Sequence, residues 1–387
     1  MHITEEEKNT LRQAKDAVTE RLRAADIASY ELKKTDVRLE EYCKEVAENP
    51  HSHNLFEQLA VERFLRMVRQ YGLNRAEVLK FFTLYESLHF PGRAGMTHYK
   101  LTPVQAFQYA NIFGFWHNGK RVTRRVMLFV PRKFSKTTSD GQPESIARTV
   151  PASARFITTV KSVKNFRLVL FGDANAESYT CANSADQAKK CFAVVRGCFR
   201  KLDPNERRYV NNEMEIKSRR PDRPAFAQCL TANANTKDGL NASTVIVDEY
   251  AQARDGELLY VLTTSMGVRA NPLTVIITTA SDVLDGPCFD MIRGYRALLL
   301  GEYEDDASFA HLFLPDIDDD EGSEDTWRKV HPHMGVTVTL DFYRDEWASA
   351  QRNGAEALMA FRTKLLNVYA EAETHSWISS TLARKMM

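Results

Sequence analysis

Two apolar runs that stop abruptly in charge constrain this chain more than anything else in it. One is Leu128-Phe129-Val130-Pro131-Arg132-Lys133-Phe134-Ser135-Lys136-Thr137-Thr138, and the other is Thr244-Val245-Ile246-Val247-Asp248-Glu249. Each begins as a β-branched or apolar stretch suited to a strand covered on both faces, and each delivers its charges where that strand ends. The first places Lys136 and Thr137 where a phosphate loop turns into a helix. There, backbone N–H groups wrap phosphates, the ammonium reaches the β- and γ-phosphates, and the hydroxyl ligates Mg²⁺. Arg132, Lys133, Ser135 and Thr138 belong to the same loop. The second run ends in adjacent carboxylates, Asp248 to hold the metal and Glu249 to polarise an attacking water. Together they read as the two halves of an NTP–magnesium site. The first departs from the pattern G-x-x-x-x-G-K-[ST], with Val130 and Ser135 where glycines are usual, so it carries weight only beside the second.

A length of 387 residues exceeds what one core usually serves and points to two domains, or to one with large appendages. With 43% hydrophobic and 27% charged residues the composition is globular, and a net charge of +1 means that any nucleic-acid contact is local. The six cysteines (Cys43, Cys181, Cys191, Cys198, Cys229, Cys288) form no C-x-x-C pair and read as reduced, buried, small apolar residues. His51/His53 and His331/His333 lack partners at metal-site spacing and read as polar loop residues. The amino terminus is charged from residue 5 without an apolar signal core, and no run is long enough to span a bilayer. The expectation is a soluble intracellular protein.

Residues 1–48 have helical, charge-rich composition, as of a solvated arm. Helices are expected at 54–71 and 75–88, closed by a loop at Phe90-Pro91-Gly92-Arg93-Ala94-Gly95. From about residue 99, strand candidates (Val126–Val130, Ser178–Ala182, Val245–Val247, Thr274–Ile277) alternate with helical segments. This implies crossover connections and a mostly parallel sheet, whose ligands sit at the carboxyl ends of the strands. Tyr209–Ser218 and Ala225–Leu230 read as a small hairpin with Arg219, Arg220 and Arg223 at its turn, either a DNA-contacting loop or an ordinary solvated one. The acidic run 316–326 reads as a flexible, solvated linker, with a metal site as the alternative. Residues 341–373 are again helical in pattern.

Two further elements extend the site. Leu273–Ser281 is a third buried strand ending in Thr278, Thr279 and Ser281, which either sense the γ-phosphate or simply cap the next helix. Gln105, after Leu101-Thr102-Pro103-Val104, has an amide able to pair with both edges of adenine's donor–acceptor pattern, or is a Gln at a helix start.

In order along the chain, the Gln105 segment, PRKFSKTT, Ser184-Ala185-Asp186-Gln187-Ala188, DGLNASTVIVDEYAQ and VIITTAS resemble large terminase subunits of tailed bacteriophages, in the branch whose phosphate loop begins Pro-Arg-Lys. The resemblance runs from about residue 50 to Trp377-Ile378-Ser379. It implies an α/β fold, a P-loop NTPase of the ASCE type with a mostly parallel sheet flanked by helices. A helical amino-terminal region (1–95) precedes the ATPase core (96–310), and a carboxyl-terminal helical linker or lid (311–387) follows it. It further implies ATP and Mg²⁺ as cofactors, with Lys136 and Thr137 (Walker A) and Asp248 and Glu249 (Walker B) in the roles given above. Thr278, Thr279 and Ser281 couple hydrolysis to movement, and either Arg132 in cis or Arg269 from a neighbouring subunit serves as arginine finger. The implied activity is packaging of double-stranded viral DNA into a procapsid in the host cytoplasm, with portal protein and small terminase subunit as partners, in a homo-oligomeric ring. A helicase-like or remodelling ATPase, or a catalytically impaired DNA- or portal-binding assembly protein, are the alternatives.

Two departures qualify the likeness. Ser139-Asp140-Gly141-Gln142-Pro143 breaks the helix expected after the phosphate loop, with family-like sequence resuming near Phe171. The sequence stops at Met387, where the family's nuclease domain begins, so DNA cleavage is not expected from these residues.

Overall fold

The structure, a computed structural model, describes residues 4–92, 95–97, 100–134, 175–182, 184–222, 224–231 and 239–369. Its centre is an eight-stranded sheet. β5 (Arg125–Phe129), β6 (Glu177–Ala182), β9 (Phe226–Thr231), β10 (Thr244–Asp248), β11 (Leu273–Thr278) and β12 (Ser308–Leu312) run parallel. β7 (Tyr209–Asn211) and β8 (Glu215–Ser218) complete one edge antiparallel. The spatial order is β12-β5-β11-β10-β6-β9-β8-β7. Every residue of β10, β11 and β12 is buried, which is why β10 and β11 read as mostly apolar runs rather than alternating ones. The fold is the mostly parallel α/β sheet expected.

Helices cover the sheet. The amino-terminal helices α1 (Glu5–Ala24), α2 (Val37–Glu48), α3 (Leu55–Tyr71) and α4 (Arg75–Ser87) form where expected. Each starts at a side chain that satisfies helix N–H groups. Thr4 and Glu7 make a capping box on α1, and Asn54 accepts from Phe56 and Glu57 N–H on α3. Asn54 also donates to Leu312 O at 3.1 Å, tying α3 to the end of β12. α1 is not the free arm expected: Val18 and Leu22 are buried, and one apolar cluster runs from them through the sheet to Tyr369. α5 (Pro103–Phe113), α6 (Ala185–Leu202), α7 (Glu257–Thr264) and α8 (Pro287–Leu299) complete the layers. A second cluster around Trp327, Tyr343 and Phe361 holds together α9 (Glu324–Val330), α10 (Leu340–Asn353) and α11 (Ala355–Lys364).

Four local expectations change. Phe90–Gly92 (β1) pairs with Gly95–Thr97 (β2) as a short hairpin instead of a closing loop, and a second two-stranded ribbon, β3 (Trp116–His117) with β4 (Lys120–Arg121), precedes β5. β9 is the expected hairpin arm, antiparallel to β8, but the hairpin does not stand apart: β9 also pairs in parallel with β6 and so joins it to the main sheet. The carboxyl-terminal helical pattern breaks at Gly354, whose φ of +87° suits a residue without Cβ, and ends at Lys364.

The acidic run is the fourth. Asp316 and Asp319 clasp Lys329, whose side chain is 6% exposed, Asp316 also pairs with Lys15, and Asp318 pairs with Arg12 at 2.5 Å. Burial works against the Lys329 charge, yet the two carboxylates outweigh it and hold its pKa above the ordinary lysine value. The run is therefore a pinned junction. Two of its cations, Arg12 and Lys15, come from a helix some 300 residues away and are invisible to local composition. Among the described residues, no group of three or more histidine, cysteine or carboxylate side chains converges on a metal-like arrangement. No described helix is long and apolar enough to cross a membrane.

Candidate active site

The sheet order brings the three charged or hydroxylated strand ends together. β11 lies between β5 and β10, so the hydroxyl-bearing loop sits between the phosphate-loop approach and the Asp248-Glu249 pair, all at carboxyl ends.

β5 continues one residue beyond its last ladder position. Val130 N–H donates to Thr278 O at 2.9 Å, and Val130 O accepts from Thr279 Oγ1 at 2.7 Å. Pro131, with no N–H, ends the pairing. Arg132 and Lys133 then turn outward with exposed side chains, Lys133 at φ +73°, while Phe134 returns to full burial. Ser135, Lys136, Thr137 and Thr138 lie outside the described residues, as does the segment to 174 that contains the expected helix break.

On the other side, Asp248 is 4% exposed at the end of β10, and its Oδ2 accepts from Cys191 Sγ of α6 at 2.7 Å. Glu249 adopts φ +56°, a left-handed conformation uncommon for a residue with Cβ, and its N–H donates to Ile277 O at 3.0 Å. Such conformations persist where neighbours over-determine them and cluster at functional sites. Thr278 Oγ1 accepts from Ala251 N–H at 2.9 Å, and Ser281 Oγ donates to Ala251 O at 2.5 Å. The three hydroxyls thus grip both flanking loops: Thr279 holds the phosphate-loop side, and Thr278 and Ser281 hold the residue two beyond Glu249.

The donor set suits a hard cation on this side. Asp248 offers carboxylate oxygen in a buried strand-end position, and the Cys191 thiol donates to that carboxylate rather than standing among soft ligands of its own.

The structure does not bring every sequence candidate here. Gln105 is 4% exposed, and its amide oxygen completes a capping box on α5 by accepting from Thr102 N–H at 3.1 Å. It nevertheless neighbours the site, because Thr102 Oγ1 lies 2.9 Å from His333 Nε2. Arg269 stands at the opposite, amino ends of the strands. It donates to Asn241 O and Asn175 O and pairs with Glu177 at 3.6 Å. Arg219 and Arg220 sit exposed at the β8–β9 turn, Arg219 donating to Glu206 O and Arg220 paired with Asp222, while Arg223 lies outside the described residues.

Several residues at the site were missed from sequence. Cys191 gives no signal beyond its place on an amphipathic helix. His331 and His333, read as polar loop residues, are 0% and 1% exposed. They bond to Arg132 O at 3.2 Å and Phe134 O at 3.0 Å, partners 199 residues earlier in the chain. Lys364 O accepts from Arg132 N–H at 2.9 Å, and Asn367 Oδ1 accepts from Ala280 N–H at 2.8 Å.

The family model described as "Terminase large subunit, ATPase domain" matches residues 103–296, half of the chain. The chain belongs to the terminase large subunit ATPase family. The match takes in β5, the Asp248-Glu249 strand and the hydroxyl strand of the site above. Protein YmfN of Escherichia coli (strain K12) is 33% identical over 146 residues, 38% of this chain and 32% of its own length. The crystal structure of the HK97 bacteriophage large terminase superposes with a TM-score of 0.58 at 18% identity, over 76% of this chain and 55% of that one. The chain thus matches about a third of YmfN and about half of the HK97 protein. The HK97 likeness shows that the terminase ATPase shares this fold.

Proposed function

We propose that this terminase-family chain hydrolyses ATP to drive double-stranded viral DNA into a procapsid. The observation that carries the reading is the pair of bonds from the central strand: Thr279 Oγ1 to Val130 O on one flank and Ala251 N–H to Thr278 Oγ1 on the other. They join the phosphate-loop approach and the Asp-Glu loop through one hydroxyl-bearing strand end, the arrangement needed for a nucleotide's state to be felt on both sides.

In this reading, Ser135, Lys136, Thr137 and Thr138 hold the phosphates, with Thr137 and Asp248 on the metal. Thr137 and Asp248 would hold Mg²⁺, which would supply positive charge against the negative charge developing on the phosphates. Glu249 accepts the proton of the attacking water. Arg132, exposed on the phosphate-loop turn with Lys133 beside it, is the arginine finger, since Arg269 is bonded at the far end of the sheet. Gln105 lies on the adenine side. The helical region 1–95 and the segment 311–387 flank an ATPase core at 96–310. The working form is a homo-oligomeric ring in the host cytoplasm, served by portal protein and small terminase subunit, with Arg219, Arg220 and Arg223 on the DNA path.

Glu249→Gln tests the assignment. The amide cannot take up the water's proton, so ATP turnover falls at least a hundredfold, roughly 3 kcal/mol in barrier, while nucleotide affinity stays near wild type. Lys136→Ala loses both. Wild-type turnover in either variant removes the site from this place.

A further inference from the structure

The segment joining α9 to the Met334–Val338 bridge carries His331-Pro332-His333, and both rings are buried against the approach to the phosphate loop. A carbonyl oxygen only accepts. His331 Nε2, 3.2 Å from Arg132 O, and His333 Nδ1, 3.0 Å from Phe134 O, therefore both carry protons. The other nitrogen of a neutral His333 must accept, and Thr102 Oγ1 stands 2.9 Å from it to donate. That commits the single hydroxyl proton of Thr102 and leaves Gln105 Oε1 to the Thr102 N–H. The His333 ring also stacks on Phe134, centroids 4.2 Å apart and planes 9° from parallel.

Among the described residues, this turn is bonded from outside: Arg132 N–H to Lys364 O, and the Arg132 and Phe134 carbonyls to the two imidazoles. Pro131 has no N–H, and Lys133 sits at φ +73°. These contacts brace a backbone that carries a positive φ at Lys133.

We propose that His331 and His333 are positioning residues of the phosphate loop, fixing the Arg132 and Phe134 carbonyls and, through Thr102, joining them to the start of α5, where Gln105 lies. This rests on the ATPase reading for its kinetic consequence but not for its structural one. Burial, which pushes His333 down to about 4, keeps that ring neutral at neutral pH, and the Phe134 carbonyl places its proton on Nδ1.

The two donors differ in position, and side-chain amides can tell them apart. Asn places an N–H where Nδ1 was, and Gln where Nε2 was. His333→Asn and His331→Gln should therefore keep the bonds, and His333→Gln and His331→Asn should lose them. His333→Phe keeps the stacked ring without any donor.

The test on the full chain has two arms. In the first, the KM for ATP rises about tenfold in His333→Phe, with a smaller change in kcat, and stays within about threefold of wild type in His333→Asn. In the second, hydrogen exchange of the 130–134 amides, read without nucleotide, quickens in His333→Phe and returns toward wild type in His333→Asn. A folded His333→Phe with wild-type KM and exchange overturns the proposal, and so does equal damage in the Phe and Asn variants. Should His333→Phe fail to fold, the contrast of His331→Gln with His331→Asn decides in the same two arms. A wild-type chain that neither binds nor hydrolyses ATP defeats the ATPase reading alone, because the exchange arm still answers.

Discussion

Thr279 donates its hydroxyl to the carbonyl of Val130 at 2.7 Å, so the end of the hydroxyl strand is bonded to the last residue before the phosphate-loop turn. Both groups are buried, and a buried carbonyl stripped of its donor costs about 1–3 kcal/mol. Thr279→Val, nearly the same shape, should lower stability by about that amount and uncouple nucleotide binding from order in the turn. Thr279→Ser, which keeps the donor, should recover most of it. Urea denaturation of the two variants decides, and a Val variant as stable as wild type would show that the bond contributes nothing.

Acid should weaken the fold through two histidines. Burial pushes His311 and His333 each to about 4, against roughly 6.5 in an unfolded chain. Below about pH 6.5 the unfolded state binds protons that the native state refuses. Stability therefore falls as pH drops toward 5, by at most ~1.4 kcal/mol per pH unit for each ring. His53 opposes this. Burial works against its charge, but Glu57 and Glu45 outweigh it and raise its pKa, so its contribution is full below about 6.5 and fades as pH rises through the folded value. His53 therefore adds stability as pH falls from 7.5 towards 6.5 and leaves the slope below 6.5 to His311 and His333. Denaturation midpoints at pH 7.5, 6.5 and 5.5 measure it, and His333→Asn should flatten it. A stability that rises between pH 6.5 and 5.5 contradicts the assignment.

The exposed pair Arg219 and Arg220 offers a second test of function. If the β8–β9 turn grips DNA phosphates, each lost contact removes about 0.9 from the slope of log affinity against log salt. Replacing both with alanine should make that slope shallower by about two and weaken binding alike on unrelated sequences. An unchanged slope takes this turn off the DNA path.

What could be read from sequence follows from range. β5, β10 and β11 were legible because parallel strands buried on both faces must be apolar runs, and their charged ends announced where the ligand side lies. β12 was not, since Ser308-Phe309-Ala310-His311-Leu312 carries a serine and a histidine whose partners, Arg125 and Tyr42, are far off in sequence. Its presence makes β5 an interior strand. Asp248 and Glu249 could be found from their place at a strand end. Cys191, His331 and His333 could not, because what identifies each is a carboxylate or carbonyl brought close only by the fold. Gln105 shows the reverse: its helix-start position was readable, and the capping box it completes is the local consequence of Thr102 three residues earlier.

The pinned acidic junction has a consequence for how the chain is made. Lys15 and Arg12 emerge from the ribosome about 300 residues before the aspartates that hold them. At 5–20 residues per second that is an interval of roughly 15–60 s. Through it Arg12 and Lys15 are without the aspartates that they pair with in the finished fold. The junction can close only once residues 316–319 have emerged, and its closing ties the front of the molecule to the segment that leads to His331 and His333.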